Sequence, residues 1–149
     1  MTNMIIKTAG DILDAKNRGT YIAHCISGDF TLGAGLARQV DNRYDMRAKL
    51  WDNFTEPEEN DNYVGKALLV DNVFNLVTKA VYTDKARKKN LRKALVDMYK
   101  QCQTLGVTEV AVPKLGCGHD HMNWDKVYQM LSEIFDESDI KLIIYTKRW

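Results

Sequence analysis

The sequence predicts an α/β fold, a three-layer α/β/α sandwich around a mixed central sheet. Three observations carry this. Short apolar runs alternate with amphipathic segments at both ends of the chain. One hairpin signal, Asp71-Asn72, sits between two apolar runs in the middle. Two glycine-bearing turns lie far apart, and each follows an apolar run and leads into a helical pattern. Parallel strands joined through helices, plus one antiparallel hairpin, give a mixed sheet.

Met4-Ile5-Ile6-Lys7 reads as a short first strand that ends at Gly10-Asp11. Tyr21-Ile22-Ala23-His24-Cys25-Ile26 is mostly apolar, as a strand buried on both faces requires. Residues 35–45 read as a helix, continuing or restarting over 46–54. Residues 55–62 are polar and contain Pro57, which marks a loop. Residues 65–70 and 73–78 flank the hairpin turn, where Asp and Asn tolerate positive φ. Leu91, Ala94, Leu95, Met98 and Cys102 recur at helical spacing over 90–105, and Gly106 follows as a C-cap. Residues 109–113 read as a strand. Residues 124–135 form a helix with Val127, Met130, Leu131 and Ile134 on one face and Asn123 as its N-cap. Residues 140–146 close the fold as a strand.

The chain has 149 residues, which suits one domain spanning 1–149. With 21 Lys+Arg against 20 Asp+Glu the net charge is +1, too balanced for a general nucleic-acid coat or a polybasic membrane binder. The local cluster Lys85, Arg87, Lys88 and Lys89 reads as a solvated helix start. No apolar stretch is long enough to span a bilayer, and the N-terminal residues lack a signal-peptide layout. Cys25, Cys102 and Cys117 form no CxxC pair, so a reducing, cytoplasmic setting is expected. The cysteines and histidines lack zinc-ligand spacing; His119 and His121 flank Asp120, but no carboxylate cluster accompanies them. No metal and no cofactor is expected, and the chain is expected to be a monomer.

The two turns are the chemical signal. The first runs His24-Cys25-Ile26-Ser27-Gly28-Asp29-Phe30-Thr31-Leu32-Gly33-Ala34-Gly35-Leu36-Ala37, and the second Pro113-Lys114-Leu115-Gly116-Cys117-Gly118-His119-Asp120. Glycine lets backbone approach a ligand, and a helix N-terminus offers unpaired N–H groups to an anion. Ligands of such sheets bind outside the carboxyl ends of the strands. Two turns there would grip the two ends of one phosphorylated ligand. Neither turn carries the Gly-Lys-Ser/Thr ending of a Walker A loop, and no full GxGxxG follows the first strand.

Gly10-Asp11-Ile12, Ala23-His24-Cys25-Ile26-Ser27, Gly33-Ala34-Gly35-Leu36-Ala37, Val77-Thr78-Lys79, Pro113-Lys114-Leu115-Gly116-Cys117-Gly118, Asp120 with Trp124, and Ile144-Tyr145-Thr146 occur in this order. Together they resemble the macrodomain family, closest to its branch of terminal ADP-ribose protein glycohydrolases, over nearly the whole chain. Two departures stand out. Gly-Ala-Gly replaces a longer glycine run, and Lys79 is followed by Ala80-Val81-Tyr82 where that branch carries basic residues.

The resemblance implies an ADP-ribose site. Asp11, with Ile12 beside it, would accept a hydrogen bond from the adenine amino group; as a plain structural residue Asp11 would cap a short helix. Ser27, Gly33, Ala34, Gly35 and Leu36 would cradle the distal ribose and a phosphate. Leu115, Gly116, Cys117, Gly118 and His119 would hold the diphosphate by backbone N–H groups. Tyr145 would pack beside the adenine or serve as an ordinary core tyrosine. Lys79 matches the branch's nucleophile, with Lys85 as runner-up, and Asp120 its proton-handling carboxylate.

The implied activity is removal of mono-ADP-ribose from an acidic side chain or similar ester-like linkage. The partner is then ADP-ribose or an ADP-ribosylated protein, with ADP-ribosylated nucleic acid a further substrate to test. Two other readings stay open. One is an ADP-ribose 1″-phosphate phosphatase, with His24 as acid or base rather than a neutral buried ring. The other is a non-catalytic reader of ADP-ribose, which needs neither Lys79 nor Asp120.

Overall fold

The computed structural model describes residues 4–54, 63–118 and 120–147. The loop expected over 55–62 and the ligand contact expected of His119 lie outside these residues. Six strands form one sheet: β1 (Met4–Lys7), β2 (Tyr21–Ser27), β3 (Ala67–Val70), β4 (Val73–Lys79), β5 (Glu109–Val112) and β6 (Lys141–Tyr145), in the order β1-β6-β5-β2-β4-β3. All neighbours are parallel except β3 and β4, the expected hairpin, where Asp71 takes φ 53° in the turn.

Among the described residues five helices connect the strands: α1 (Ile12–Asn17), α2 (Gly35–Tyr44), α3 (Met46–Asn53), α4 (Lys88–Leu105) and α5 (Trp124–Phe135). Asp45 in the left-handed conformation breaks α2 from α3, which resolves the choice between one helix and two. Helix α4 begins at Lys88, two residues earlier than the apolar spacing suggests, because Lys88 and Lys89 are exposed and add nothing to that spacing. The capping predictions hold: Asn123 accepts from Lys126 N–H, and Gly106 ends α4 with φ 73°.

Strand alternation divides the interior into two cores. Phe74, Leu76, Val110, Leu142 and Ile144 face one way and meet Leu91, Leu95 and Met98 of α4 and Val127, Leu131 and Phe135 of α5. Ile22, Val73, Val77, Ala111 and Ile143 face the other way and meet Ile12 and Leu13 of α1, Val40 of α2, and Met46 and Leu50 of α3. The result is the expected three-layer α/β/α sandwich.

This topology builds the site. Strands β2 and β5 are adjacent and parallel, yet β2 leads to α2 on one face and β5 to α5 on the other. Their outgoing loops diverge and open a crevice at the carboxyl ends, the switch point of a doubly wound sheet. The loops after β1, β4 and β6 reach the same rim, since these strands run parallel to β2 and β5.

Candidate active site

A cleft of about 660 Å³ lies at this switch point. The start of α2, from Ala34 to Ala37, and the second glycine turn both line it. Thr146 and Lys147, just past β6, and Trp124 line it as well. Helix α2 has no acidic residue in its first turn, and Ala34 at its N-cap offers no side-chain acceptor. Its leading N–H groups and positive dipole end are therefore left to an anion in the cleft.

The second turn depends on Gly116, which takes φ 73° and whose hypothetical Cβ would stand 2.5 Å from Met122 Sδ. Met122 N–H closes the turn onto Gly116 O at 2.7 Å. A Cβ on Gly118, by contrast, meets nothing within 4 Å. Gly116 is needed by the turn, whereas Gly118 leaves space in the cleft.

A smaller pocket of about 60 Å³ adjoins the cleft and shares Cys25, Ala34, Ala37 and Asp120 with it. Ile26, Ser27, Leu32, Gly33, Thr78, Lys79 and Tyr82 complete its lining. Here Lys79 Nζ meets Asp120 Oδ1 at 3.0 Å, with side chains 7% and 14% exposed. The strand pairing aims Lys79. The register of β2 on β4 shifts between Ile26 and Ser27, so Ser27 opposes Lys79 and Thr78 is skipped. Such bulges re-aim side chains beside functional sites. Lys85, the other lysine the sequence offers, is exposed and lines neither cavity.

The first turn is held by strain and burial together. Phe30 and Leu32 take φ 55° and 43°, values that bulky residues adopt only when surroundings impose them. Phe30 is fully buried and packs edge-on against Trp51 at 4.9 Å between ring centres. Trp51 itself stays 40% exposed, so the contact covers the buried Phe30 ring from the surface. Asp29 ties the turn internally, accepting from Ser27 Oγ at 2.5 Å and Thr31 N–H at 3.2 Å. Its second oxygen accepts from Tyr82 N–H at 2.9 Å, which links the loops after β2 and β4. Burial raises the Asp29 pKa, but these hydrogen bonds outweigh it and hold the carboxyl below its usual range.

Asp11 caps α1, accepting from Leu13 N–H at 2.9 Å, and its other oxygen meets Lys147 Nζ at 3.3 Å. Burial pushes its pKa up, yet the Leu13 N–H and Lys147 prevail and the net shift is downward. The Ile12 side chain is fully buried in the core. Tyr145 is 3% exposed within the α1–α3 core, the core-tyrosine alternative of the two the sequence offers, because strand alternation turns it inward. Thr146 and Lys147 line the cleft instead. Sequence reading missed Lys147 as a site residue, although its position after the last strand placed it on this rim.

His24 is 1% exposed, and its Nε2 lies 2.5 Å from Asn75 Oδ1. Asn75 Nδ2 in turn donates to Leu68 O, so the amide oxygen is the acceptor and Nε2 carries the proton. Burial pushes the ring pKa down to about 4, opposed by the Asn75 bond. This is the neutral, hydrogen-bonded form of the two the sequence offers. A linkage effect follows. The unfolded chain takes up a proton near the ordinary 6.5 that the folded ring refuses until about 4. The stabilising contribution is whole above pH 6.5 and declines as pH falls towards 4, by on the order of 3 kcal/mol. Melting curves across that window should show the decline in wild type and a flatter profile in His24→Gln. Equal slopes would contradict it.

The thiols are poor nucleophiles. Cys25 is pushed up to about 12 by burial and by the Asp120 charge, and burial also raises Cys117. Among the described residues no cluster of three His, Cys, Asp or Glu side chains could hold a metal ion. No described helix is long and apolar enough to cross a membrane.

The Macro domain family profile matches residues 62–131. Human ADP-ribose glycohydrolase OARD1 is 33% identical over 128 residues, covering 84% of this chain and 80% of that protein. The chain belongs to the macrodomain family. A DNA ADP-ribosyl glycohydrolase of Mycobacterium tuberculosis is 26% identical to this macrodomain over 152 residues, which cover 95% of the chain and 42% of that longer protein. The solved macrodomain of Mycobacterium tuberculosis DarG superposes with a TM-score of 0.78 at 25% identity, covering 96% of this chain and 98% of that one. Thermosipho africanus DarTG in complex with ADP-ribose shares the fold with a TM-score of 0.71 at 20% identity, over 86% of this chain and 38% of that one.

Proposed function

We propose that this macrodomain is an ADP-ribosyl hydrolase that removes mono-ADP-ribose from an acidic side chain or a similar ester-like linkage. The observation that carries the reading is the buried Lys79–Asp120 pair, 3.0 Å apart, in a pocket opening beside the anion-receptive cleft. The named activities of its relatives support the same class of reaction. The diphosphate lies between the α2 N-terminus and the second turn, with the adenine towards Asp11 and the distal ribose towards Lys79.

The chemistry follows from the pair. A lysine ammonium is no nucleophile, so Asp120 first accepts its proton. The amine lone pair then forms a bond to C1″ of the distal ribose. The C1″–O bond breaks, and its electrons leave with the substrate carboxylate. Water attacks C1″ next, the C–N bond breaks, and the water's proton restores the ammonium. Asp120 releases its own proton to solvent. The products are ADP-ribose, the free carboxylate and one proton.

His24 borders the large cleft, but its ring is 1% exposed, is tied to Asn75 through Nε2 and is held neutral by burial, which disfavours a phosphatase that uses it as acid or base. The partner is ADP-ribose on a protein, and the mycobacterial relative's name makes nucleic acid a second substrate class to assay. We assign this chain to the cytoplasm and to a monomeric state, and three free thiols support the cytoplasmic setting. Wild-type protein offered a glutamate-linked substrate and ADP-ribose 1″-phosphate in parallel should release ADP-ribose from the first. Phosphate release from the second alone would replace this reading with the phosphatase.

Adenine recognition is separable from helix capping. Asp11→Asn keeps the Oδ1 acceptor for Leu13 and removes the charge. It should weaken ADP-ribose binding by roughly 1–3 kcal/mol, the usual effect of losing a charged hydrogen-bond partner. Calorimetry with ADP-ribose and ribose 5-phosphate checks this: only ADP-ribose should lose affinity, and equal losses would contradict an adenine contact.

A further inference from the structure

Lysine brings long-chain freedom to an active site, and four rotatable bonds must be restrained before its amine can meet one carbon atom. Asp120 restrains it from one side. That contact is spent during turnover, when the carboxylate takes a proton and ceases to be an anion. A second restraint must then outlast the first.

The loop after β4 supplies one. The Tyr82 ring stands with its centre 5.5 Å from Lys79 Nζ, within cation–π reach. The same ring lines the small pocket together with Lys79, Asp120 and Gly33. It lies so close to the first turn that a Cβ on Gly33 would approach its Cε2 and Cζ at 3.4 Å. Its backbone is fixed as well, since Tyr82 N–H donates to Asp29 Oδ2 at 2.9 Å. Gly28 N–H also donates to Lys79 O at 2.8 Å, which joins the same two loops beside the nucleophile. Tyr82 lies in the segment Ala80-Val81-Tyr82, where the sequence departs from the basic pattern of its branch.

We propose that Tyr82, anchored by Asp29, is a positioning residue whose ring walls the Lys79 amine into line with the distal ribose. The inference rests on the reading of Lys79 as nucleophile. The ring's face neither gives nor takes a proton in the reaction: it holds the ammonium by cation–π attraction before the transfer and confines the neutral amine by its flat shape after it. Its effect belongs in kcat, not in ligand affinity, because Tyr82 lines the small pocket and not the large cleft.

The test compares wild type, Tyr82→Ala, Tyr82→Leu, Tyr82→Phe and Lys79→Ala on a glutamate-linked substrate, with ADP-ribose affinity by calorimetry. Tyr82→Ala should lower kcat roughly ten- to hundredfold, the scale of a small misplacement of a reacting group, with ADP-ribose affinity unchanged. Tyr82→Phe keeps the ring and should restore wild-type kcat. If Tyr82→Ala fails to fold, Tyr82→Leu, which fills the space without a π face, carries the same expectation of lowered kcat. Wild-type kcat in Tyr82→Ala or Tyr82→Leu, beside an inactive Lys79→Ala, overturns the role of Tyr82 and leaves that of Lys79 standing. Lost affinity at unchanged kcat makes Tyr82 a ligand wall and likewise overturns it. Turnover surviving in Lys79→Ala removes the nucleophile reading and this inference with it.

Discussion

Lys79→Ala should bind ADP-ribose as wild type does and release none from substrate. The two halves have separate physical grounds. On the proposed reading affinity resides in the large cleft, lined by the α2 N-terminus, the second turn and the residues after β6, and Lys79 does not line it. Turnover requires a nucleophile at C1″, and no other described lysine lines the small pocket. The loss should be at least about a hundredfold, as expected when a covalent route is removed. Asp120→Asn should fall comparably, because the amide cannot accept the ammonium proton. The double variant should be little worse than either single one, since the two groups act as a unit. Removing one member of a nearly buried pair strands the other, so Lys79→Met is the control that keeps the aliphatic stem. Weakened ADP-ribose binding in a well-folded Lys79→Met would contradict the separation of the two sites.

Gly118→Glu should abolish ADP-ribose binding while the protein stays folded. The space in front of Gly118 is open, and its φ lies outside the left-handed region that excludes side chains. A glutamate there would extend into the cleft and set a negative charge where the diphosphate belongs. Like-charge repulsion at about 4 Å with an effective dielectric near 20 is about 4 kcal/mol, close to a thousandfold in affinity. Gly118→Ala isolates the charge and should bind nearly normally. Calorimetry of wild type and both variants checks this. Full affinity in Gly118→Glu would move the diphosphate to another part of the molecule.

The parts of the structure legible in sequence were those that local pattern dictates. Residues 124–135 form the expected helix because one apolar face and an Asn123 cap agree. The hairpin at Asp71-Asn72 was legible because few residues accept its turn geometry. Lys79 and Asp120 lie 41 positions apart, and only an ordered set of short motifs related them before the fold brought them to 3.0 Å. What the sequence left open was side-chain direction. Tyr145 and Lys147 both belong to the last strand's end, yet the pleat turns Tyr145 into the core while Lys147 lines the cleft. The Asp29–Tyr82 link joins residues 53 apart through a backbone N–H, which no residue pattern announces. The bulge at Ser27 leaves no mark in composition, although it decides which β4 residue stands opposite.

The most direct test of the central claim is release of ADP-ribose from a glutamate-linked, mono-ADP-ribosylated protein, measured for wild type and Lys79→Ala side by side. The account predicts release by wild type and none above background by the variant. Equal release by both would contradict it, as would no release by a wild-type protein that binds ADP-ribose.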